Sequence, residues 1–480
     1  MFKTNHQPGS ICSLSTKKRI NILLAVCLGI FMTPLDSSLV NIALPDISHH
    51  FNVQLIQVQW VVISYLLVIS SLLLTWGRLG DTIGQKRTYS AGLAIFTLGS
   101  LFCAVSPSLV LLIIFRGVQA IGAGMIMAMG PALITEYAPP RHLGRYLGIM
   151  AIAVSAALAT GPVLGGFLTY FFGWPSIFLI NIPIAAGSLI YAWKVIPATR
   201  PKPKQKFDIL GSILLFVALS CIIFPISFVQ RLGWNSAYII LPLAAGIISM
   251  AVFLFTQKRN SYSLIDLSLF SNPLFLTGNI ALLLNYVVQY SIVFIMPFYL
   301  QDLLGLSPSI AGLLLITFPL TVMVAAPLSG LLSDRFNLRF LSSAGMIIIA
   351  VGSYCLSSLG QGSTRFEIIG GLALIGLGSG LFITPNNSDI MASVPADRRG
   401  ISSSMIAAMR NMGMVFGVSA AGYLFTARQT YLTEFYRHYD LSISTIQALS
   451  FQGGLKITFL VACGLAIIAA LSAFIRGRLK

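Results

Sequence analysis

Apolar runs long enough to cross a membrane recur from one end of the chain to the other. A helix needs roughly 20 residues to span a hydrocarbon core of about 30 Å. Fourteen such runs can be marked, at residues 20–44, 57–77, 88–106, 109–137, 146–171, 176–196, 208–228, 237–257, 274–300, 309–333, 340–359, 366–390, 402–426 and 455–475. They lack the polar and apolar alternation of membrane β-strands. The sequence therefore predicts an all-α polytopic membrane protein with fourteen transmembrane helices.

The charge distribution supports this interpretation and sets the orientation. Only 9% of the 480 residues are charged, which argues against a soluble enzyme. The net charge of +17 does not indicate nucleic-acid binding, because the basic residues lie in short segments between apolar runs. Of the 30 Lys and Arg residues, 23 fall on the cytoplasmic side if the N-terminus lies inside. We expect both termini to be cytoplasmic, and the longest loop, 427–453, to be external.

Cysteine and histidine spacing indicates no metal or cofactor site. The six cysteines are scattered, and none lies at ligand spacing from a histidine. No pairing of a nucleophile with a base is evident, so we expect neither a cofactor nor an enzymatic activity.

An internal repeat divides the chain. Gly77 and Asp81 follow the second span with basic residues after them, and Gly330 and Asp334 follow the tenth span in the same arrangement. Gly122, Gly124 and Pro131 likewise match Gly376, Gly378 and Pro385. We therefore predict an N-terminal six-helix bundle over 1–196, a linker with two additional helices over 197–273, and a C-terminal six-helix bundle over 274–480.

The glycine and aspartate motifs have a mechanical interpretation. Glycine lets two helices approach closely, and an aspartate at a cytoplasmic helix end can pair with a basic side chain or a helix N-terminus. We predict a cytoplasmic gate formed by Gly77, Asp81, Gly84, Lys86, Arg87, Gly330, Asp334 and Arg335. The alternative is an ordinary positive-inside turn.

Several further motifs resemble the fourteen-helix drug:proton antiporter branch of the major facilitator superfamily. The first span contains Leu35 to Pro45 in the form LDSSLVNIALP, and the fourth contains Arg116 to Gly122 in the form RGVQAIG. Gly161, Pro162, Gly165 and Gly166 in the fifth span are similar to the antiporter motif. The resemblance implies a major-facilitator-like fold, and it adds Glu136, at the end of the fourth span, to the gate. Gln85 departs from the family pattern, where a basic residue is usual.

Two ionisable residues inside spans are candidates for proton coupling. Asp36 and Arg116 lie eight and seven residues from the outer ends of the first and fourth spans. At 1.5 Å per residue both are roughly 10–12 Å below the outer surface, so they can pair if the two helices face each other. An intramembrane ionisable residue is costly and usually functional. We predict that Asp36 carries the coupling proton and that Arg116 tunes it; the alternative is a fixed ion pair joining two helices.

Polar and aromatic residues at helical spacing are candidates for substrate contact. They are Asn41, Tyr65, Asn279, Asn285, Tyr286, Gln289, Tyr290, Asn386 and Arg410. Interhelical hydrogen bonding is an equally good explanation for each one alone. With Asp36 as the single deep carboxylate, neutral, zwitterionic or monocationic amphiphiles are the expected cargo.

Together these features predict a proton-coupled multidrug efflux transporter in the bacterial plasma membrane. It would act as a monomer, with the lipid bilayer, protons and a small amphiphilic substrate as its partners, and it would contribute to antibiotic resistance. A lipid or lysolipid carrier and a solute uptake symporter on the same fold remain as alternatives.

Overall fold

A computed structural model of the chain describes residues 15–139, 142–198, 208–226, 228–259, 266–333, 338–395 and 398–475. Regular secondary structure in these ranges is helical. The α-helices are α1 (Thr16–Phe51), α2 (Leu55–Val58), α3 (Trp60–Ile83), α4 (Gln85–Ala104), α5 (Leu109–Tyr137), α6 (Leu143–Phe172), α7 (Ser176–Leu179), α8 (Asn181–Val195), α9 (Ile209–Ile226), α10 (Val229–Leu232), α11 (Ala237–Arg259), α12 (Pro273–Phe298), α13 (Pro308–Leu315), α14 (Thr317–Ser333), α15 (Leu338–Ser357), α16 (Arg365–Ala392), α17 (Arg399–Tyr436) and α18 (Ile443–Ile475). A 3-10 turn, Leu267–Ser271, precedes α12, and a π-helical turn, Tyr299–Leu303, follows it.

Helices occupy all fourteen positions at which the sequence predicts a span. Among the described residues, twelve of these helices are long and apolar enough to cross a membrane. The helices α4 and α17 are not among the twelve; α4 begins with Gln85, Lys86 and Arg87, and α17 contains several arginines. The chain is therefore a multi-pass membrane protein, and crossings beyond twelve remain a prediction.

The prediction that residues 427–453 form a loop is wrong. The helix α17 continues to Tyr436 and α18 begins at Ile443, so helix covers most of the segment. Aromatic contacts support this helical extension: Phe435 packs against Tyr431, Tyr436 and Tyr439. The segment 427–453 contains too many polar residues for a hydropathy criterion to include it in a predicted span.

The helices assemble into two groups that face each other. The first group contains α1, α3, α4, α5, α6 and α8, and the second contains α12, α14, α15, α16, α17 and α18. We call them the N-terminal and C-terminal bundles. The helices α9 and α11 pack on each other, and α9 lies against α3 and α17, where the two bundles meet. Trp60 contacts Phe224 there, and the hydroxyls of Thr75 and Ser212 form a hydrogen bond.

The repeat is visible as equivalent close contacts between helices. Gly122 of α5 lies against the carbonyl of Gly92 on α4, and Gly378 of α16 lies against the carbonyl of Gly345 on α15. Gly376, which the sequence pattern paired with Gly122, instead faces α14. The structural equivalent of Gly122 is thus two residues further along than the sequence pattern predicted, because packing and not residue identity defines the match.

The two bundles touch at the end that the charge distribution predicts to be external. Gln301 Nε2 donates to the carbonyl of Ile42 at 2.9 Å, and His49 Nε2 lies 3.3 Å from Asp302 Oδ1. Ser309 Oγ donates to the carbonyl of Gly166 at 3.3 Å. These contacts join the end of α1 to the end of α12, and the end of α6 to the start of α13. The conformation is therefore closed at this end.

Candidate functional site

A cavity of about 420 Å³ lies between the two bundles. Both bundles contribute to its wall, which is mostly apolar and runs from Pro162 and Pro297 near the closed end to Ile30, Pro131 and Met150. A volume of this size, lined by apolar and aromatic groups with few polar atoms, suits a small organic molecule. The cavity is the candidate substrate site.

Asp36 and Arg116 form an ion pair inside the N-terminal bundle. Arg116 donates from a terminal guanidinium nitrogen to Asp36 Oδ2 at 2.6 Å, and from Nε to the carbonyl of Val61 at 3.2 Å. Neither side chain is more than 1% exposed. The equal depth inferred from the sequence thus corresponds to a direct contact, because α1 and α5 are neighbours.

Two amides that were not among the predicted site residues complete this network. Gln119 Nε2 and Asn181 Nδ2 donate to Asp36 Oδ1 at 2.9 and 2.7 Å. The Gln119 carbonyl oxygen accepts from Arg116 at 2.6 Å, and Ser100 accepts from Gln119 Nε2. Three donors therefore point at one carboxylate, an arrangement suited to its unprotonated form. A sequence signal existed for Gln119, which lies three residues after Arg116 and so on the same helix face.

Tyr65 separates this ion pair from the cavity. Its ring covers the Arg116 guanidinium, with 4.1 Å from the central carbon to the ring centroid. The same residue lines the cavity, whereas Asp36 and Arg116 do not. The hydroxyl of Tyr65 donates to the carbonyl of Thr33 at 3.4 Å. A displacement of Arg116 would therefore displace Tyr65 at the cavity wall, and a displacement of Tyr65 would in turn displace Arg116.

The opposite wall of the cavity carries a second arginine, Arg410 of α17. Its Nε is buried and has no hydrogen-bond partner among the described residues, and the same holds for Nδ2 of the adjacent Asn411. Tyr286 and Tyr290 of α12 line the same cavity. Asn411 was not among the predicted site residues.

The structure brings some predicted substrate-contact residues to the cavity and leaves others out. Those that line it are Asn41, Tyr65, Tyr286, Gln289, Tyr290 and Arg410. Asn279 instead donates to the carbonyl of Phe275 within its own helix. Asn386 donates to the carbonyl of Gly278 and joins α16 to α12, and Asn285 accepts from Gln289 behind the wall. For these three residues, interhelical and intrahelical hydrogen bonding explains the polar side chain.

The turn between α3 and α4 holds the predicted cytoplasmic gate residues of the first repeat. Gly84 has φ of +106°, which glycine alone adopts easily. In this conformation a methyl group at Gly77 would meet nothing within 4 Å, so the close approach at Gly77 stays a prediction. The tight contact occurs at Gly80, which lies against the side chain of Met129 on α5.

The charged gate residues lie around this turn. Lys86 donates to the carbonyl of Trp193 at 2.7 Å and lies over its ring, so it also ties α4 to the end of α8. Arg87 is exposed, whereas Asp81 and Glu136 are partly buried at the same end of the bundle. In the second repeat Gly330 lies near the end of α14, and the predicted gate residues Asp334 and Arg335 lie outside the described residues.

The glycine and proline motif of α6 packs against both bundles. Gly161 and Gly165 lie against α1, at Ser38 and at Leu39 and Ile42. Gly166 faces the carbonyl of Pro308 on α13, and Gly312 of α13 faces the carbonyl of Pro162 in return. A side chain at either glycine would collide with backbone. These two glycines let α6 and α13 meet at main-chain distance, where they close the external end.

Two helical bundles around a central cavity, with an ion pair buried beside it, define a membrane transporter. A family model described as the Major Facilitator Superfamily matches residues 26–282 and again residues 278–479. The chain belongs to this superfamily, and the double match follows the internal repeat.

Curated relatives of similar length are transporters and resistance proteins. The riboflavin transporter RibZ of Clostridioides difficile is 35% identical over 426 residues, which cover 88% of this chain and 91% of that protein. The multidrug resistance protein Stp of Mycobacterium tuberculosis is 32% identical over 84% of this chain and 75% of its own length. The methylenomycin A resistance protein of Bacillus subtilis is 31% identical over 86% and 89%, respectively.

Solved structures show the same fold at low sequence identity. A bacterial homologue of the lysosomal transporter Spinster, crystallised inward-facing and unoccupied, matches with a TM-score of 0.71 and 16% identity, covering 97% of this chain and 98% of that one. The POT family transporter PepTSo matches with a TM-score of 0.71 at 15% identity and the same coverage.

Proposed function

We propose that this transporter is a proton-coupled exporter of small amphiphilic compounds, of the fourteen-helix drug:proton antiporter type, in a bacterial plasma membrane. One observation carries the proposal. A buried carboxylate, Asp36, is tied to Arg116, and Arg116 is covered by Tyr65, a wall residue of the central cavity. A proton acceptor is thus linked mechanically to the substrate site. Helices at all fourteen predicted positions support the fourteen-helix assignment.

Coupling would follow from the chemistry of this network. A proton added to Asp36 removes the negative charge that holds Arg116, so the guanidinium shifts and Tyr65 loses its partner. The wall of the cavity then changes shape on the side facing the substrate. Conversely, cargo that presses on Tyr65 favours one position of Arg116. Proton binding and cargo binding are therefore reciprocal, as linkage requires.

Alternating access needs two closures. The external closure in this conformation consists of the α6 and α13 contact together with the α1 and α12 contact. We assign the cytoplasmic closure to the repeated motifs around Asp81 and Asp334, with 1–196 and 274–480 as the moving units and 197–273 as the joining segment. The distribution of basic residues supports a cytoplasmic location for both termini. A single chain holds the complete cavity, which supports a monomer as the working unit.

The test is proton movement in proteoliposomes containing a pH-sensitive dye, with a hydrophobic cation, a neutral drug and a lysolipid added in turn. The variant Asp36→Asn should abolish transport driven by a pH gradient while leaving downhill exchange of the same compound intact. Asp208→Asn is the matched control, because Asp208 is another buried aspartate but bonds to Gln257 and the α9 N-terminus instead. Undiminished gradient-driven transport by Asp36→Asn would reject the assignment.

A second candidate is flavin transport, which the 35% identity to a riboflavin transporter favours. Uptake and export differ in direction, so accumulation of riboflavin should be compared in right-side-out and inverted vesicles with and without a pH gradient. Accumulation only in right-side-out vesicles would support an uptake symporter over an exporter.

A further inference from the structure

The two arginines inside the predicted spans have opposite surroundings. Arg116 has a carboxylate, an amide oxygen and a backbone carbonyl as partners. No described residue pairs with Arg410, and its buried Nε finds no acceptor. An unpaired cation within a membrane protein is costly. A residue that remains unpaired at such a position is one whose partner comes from outside the chain.

The cavity wall has one sign of charge. Among the described residues that line it, Arg410 is the single charged side chain, and no Asp or Glu is present. A low-dielectric cavity strengthens the field of such a charge, so it attracts anions and repels cations. This finding moves the expected cargo away from the monocations that the sequence alone allowed.

Neighbouring groups extend the single charge into a site. Asn411 follows Arg410 on α17, is 3% exposed, and has a buried amide nitrogen without an acceptor. Both residues line the cavity, so both carry an unused donor beside the space that cargo would occupy. Tyr286, Tyr290 and, from the facing bundle, Tyr65 supply aromatic surface for an apolar body. The arrangement is a cationic and amide donor pair beside an aromatic slot.

We infer that Arg410 and Asn411 bind an anionic group of the cargo, so the preferred substrate is an amphiphile with an aromatic or apolar body and one acidic group. Carboxylate, sulfonate, phosphate and ionised enol groups share the required chemistry, since each offers oxygens to a guanidinium and an amide. The inference rests on the proposed transport function and specifies its substrate class. Two sources share this chemistry, a drug-like acid and an anionic lysolipid, and the experiment separates them.

The experiment is equilibrium binding to the full-length protein in phosphatidylcholine nanodiscs, with empty nanodiscs as the blank. The probes are anilinonaphthalene sulfonate as an aromatic anion, ethidium as an aromatic cation, riboflavin as a neutral ring system and lysophosphatidylglycerol as an anionic lysolipid. The variants are Arg410→Gln, Arg410→Lys and Asn411→Asp. Arg428→Gln is the matched control, because Arg428 also lies on α17 but stacks on Tyr431 away from the cavity.

The wild-type protein should bind the aromatic anion at least about tenfold more tightly than ethidium, and Arg410→Gln should remove that advantage. Riboflavin binding should change by less than about threefold, which shows that the cavity persists. Arg410→Lys should retain part of the preference, and Asn411→Asp should lose it by placing a negative charge beside the arginine. Lysolipid binding that exceeds binding of the aromatic anion would assign the site to lipid; the reverse order would assign it to drug-like acids.

Equal anion affinity in wild type, Arg410→Gln and Asn411→Asp would overturn the inference, as would tighter binding of ethidium than of the anion. These measurements use no proton gradient. A failure here therefore leaves coupling through Asp36 intact, and an uncoupled Asp36→Asn result leaves the anion preference intact.

Discussion

The ring of Tyr65 lies 4.1 Å from the central guanidinium carbon of Arg116, so one aromatic side chain touches both the buried ion pair and the substrate cavity. The ring is 2% exposed and is held by α3, whereas its partner comes from α5. A cation over an aromatic face at this distance is worth about 0.5–2 kcal/mol. That energy is enough to bias a two-state equilibrium and small enough to be released in each cycle.

Two replacements of Tyr65 should separate the contribution of its ring to proton coupling from the contribution of its hydroxyl. Tyr65→Phe keeps the ring over Arg116 and loses one long hydrogen bond to Thr33, so coupled transport should stay within about twofold of wild type. Tyr65→Leu removes the cation-π contact, and the ratio of protons moved to substrate moved should fall severalfold. Simultaneous proton and substrate fluxes in proteoliposomes measure this ratio. Equal ratios for both variants would show that the ring does not transmit the proton signal.

Asn181 should set the pH range of transport. Its amide donates to Asp36 Oδ1 at 2.7 Å, so Asn181→Ala destabilises the carboxylate relative to the carboxylic acid. A lost hydrogen bond to a charged group costs about 1.5–3 kcal/mol, so the midpoint of the pH profile should rise by about one to two units.

The matched control for this variant is Ser188→Ala on the same helix. Ser188 is buried and its hydroxyl has no partner in the described structure. Its removal should leave the midpoint of the pH profile in place. A downward shift with Asn181→Ala would contradict the assignment of Asp36 as the proton acceptor.

Gly166 should control closure of the external end. A methyl group there collides with the carbonyl of Pro308, so Gly166→Ala should hold α6 and α13 apart. Gly148→Ala on the same helix is the control, because a methyl group there meets nothing within 4 Å. Asn41→Cys places a thiol on the cavity wall, and an impermeant thiol reagent applied to whole cells reports its exposure. The quantity compared is the labelling that depends on Asn41→Cys, after subtraction of the labelling measured without this substitution. It should increase several-fold when Gly166→Ala is added and stay constant when Gly148→Ala is added.

The contact of His49 with Asp302 should contribute little to stability despite joining the two bundles. His49 is 70% exposed on its side chain, and exposed ion pairs are worth about 0–1 kcal/mol. A double-mutant cycle with His49→Ala and Asp302→Asn, measured by thermal unfolding, should give a coupling below about 1 kcal/mol. A larger coupling would require a contact between these two residues other than the exposed ion pair.

Counting residues from the ends of apolar runs was sufficient to predict that Asp36 and Arg116 lie at similar depth, because depth in a membrane follows from helix rise alone. Their contact also requires that α1 and α5 are neighbours, which the structure shows. The donors Gln119 and Asn181 were not identified as site residues, since their roles depend on the rotation of three helices about their axes. Asn279 and Asn386 were assigned to the cavity for the same reason, although they bond to backbone carbonyls. Periodicity places a residue on a helix face but does not say which neighbour that face meets.

The isolation of Arg410 could not be predicted from sequence. It depends on the side chains that both bundles bring to one cavity, and the chain order separates those residues by hundreds of positions. The sequence shows an arginine within an apolar run, and a snorkelling or capping role is then equally reasonable. Only the assembled wall shows that none of its described residues is a carboxylate.

The single positive charge on the cavity wall has an energetic consequence for a transporter in a polarised membrane. When one monoanion leaves and one proton enters, two elementary charges move in the direction that an interior-negative voltage favours. Each charge gains about 2.3 kcal/mol per 100 mV, so such a cycle gains about twice that amount. Export would then be strongly electrogenic and would continue on voltage alone after the proton concentration difference has vanished.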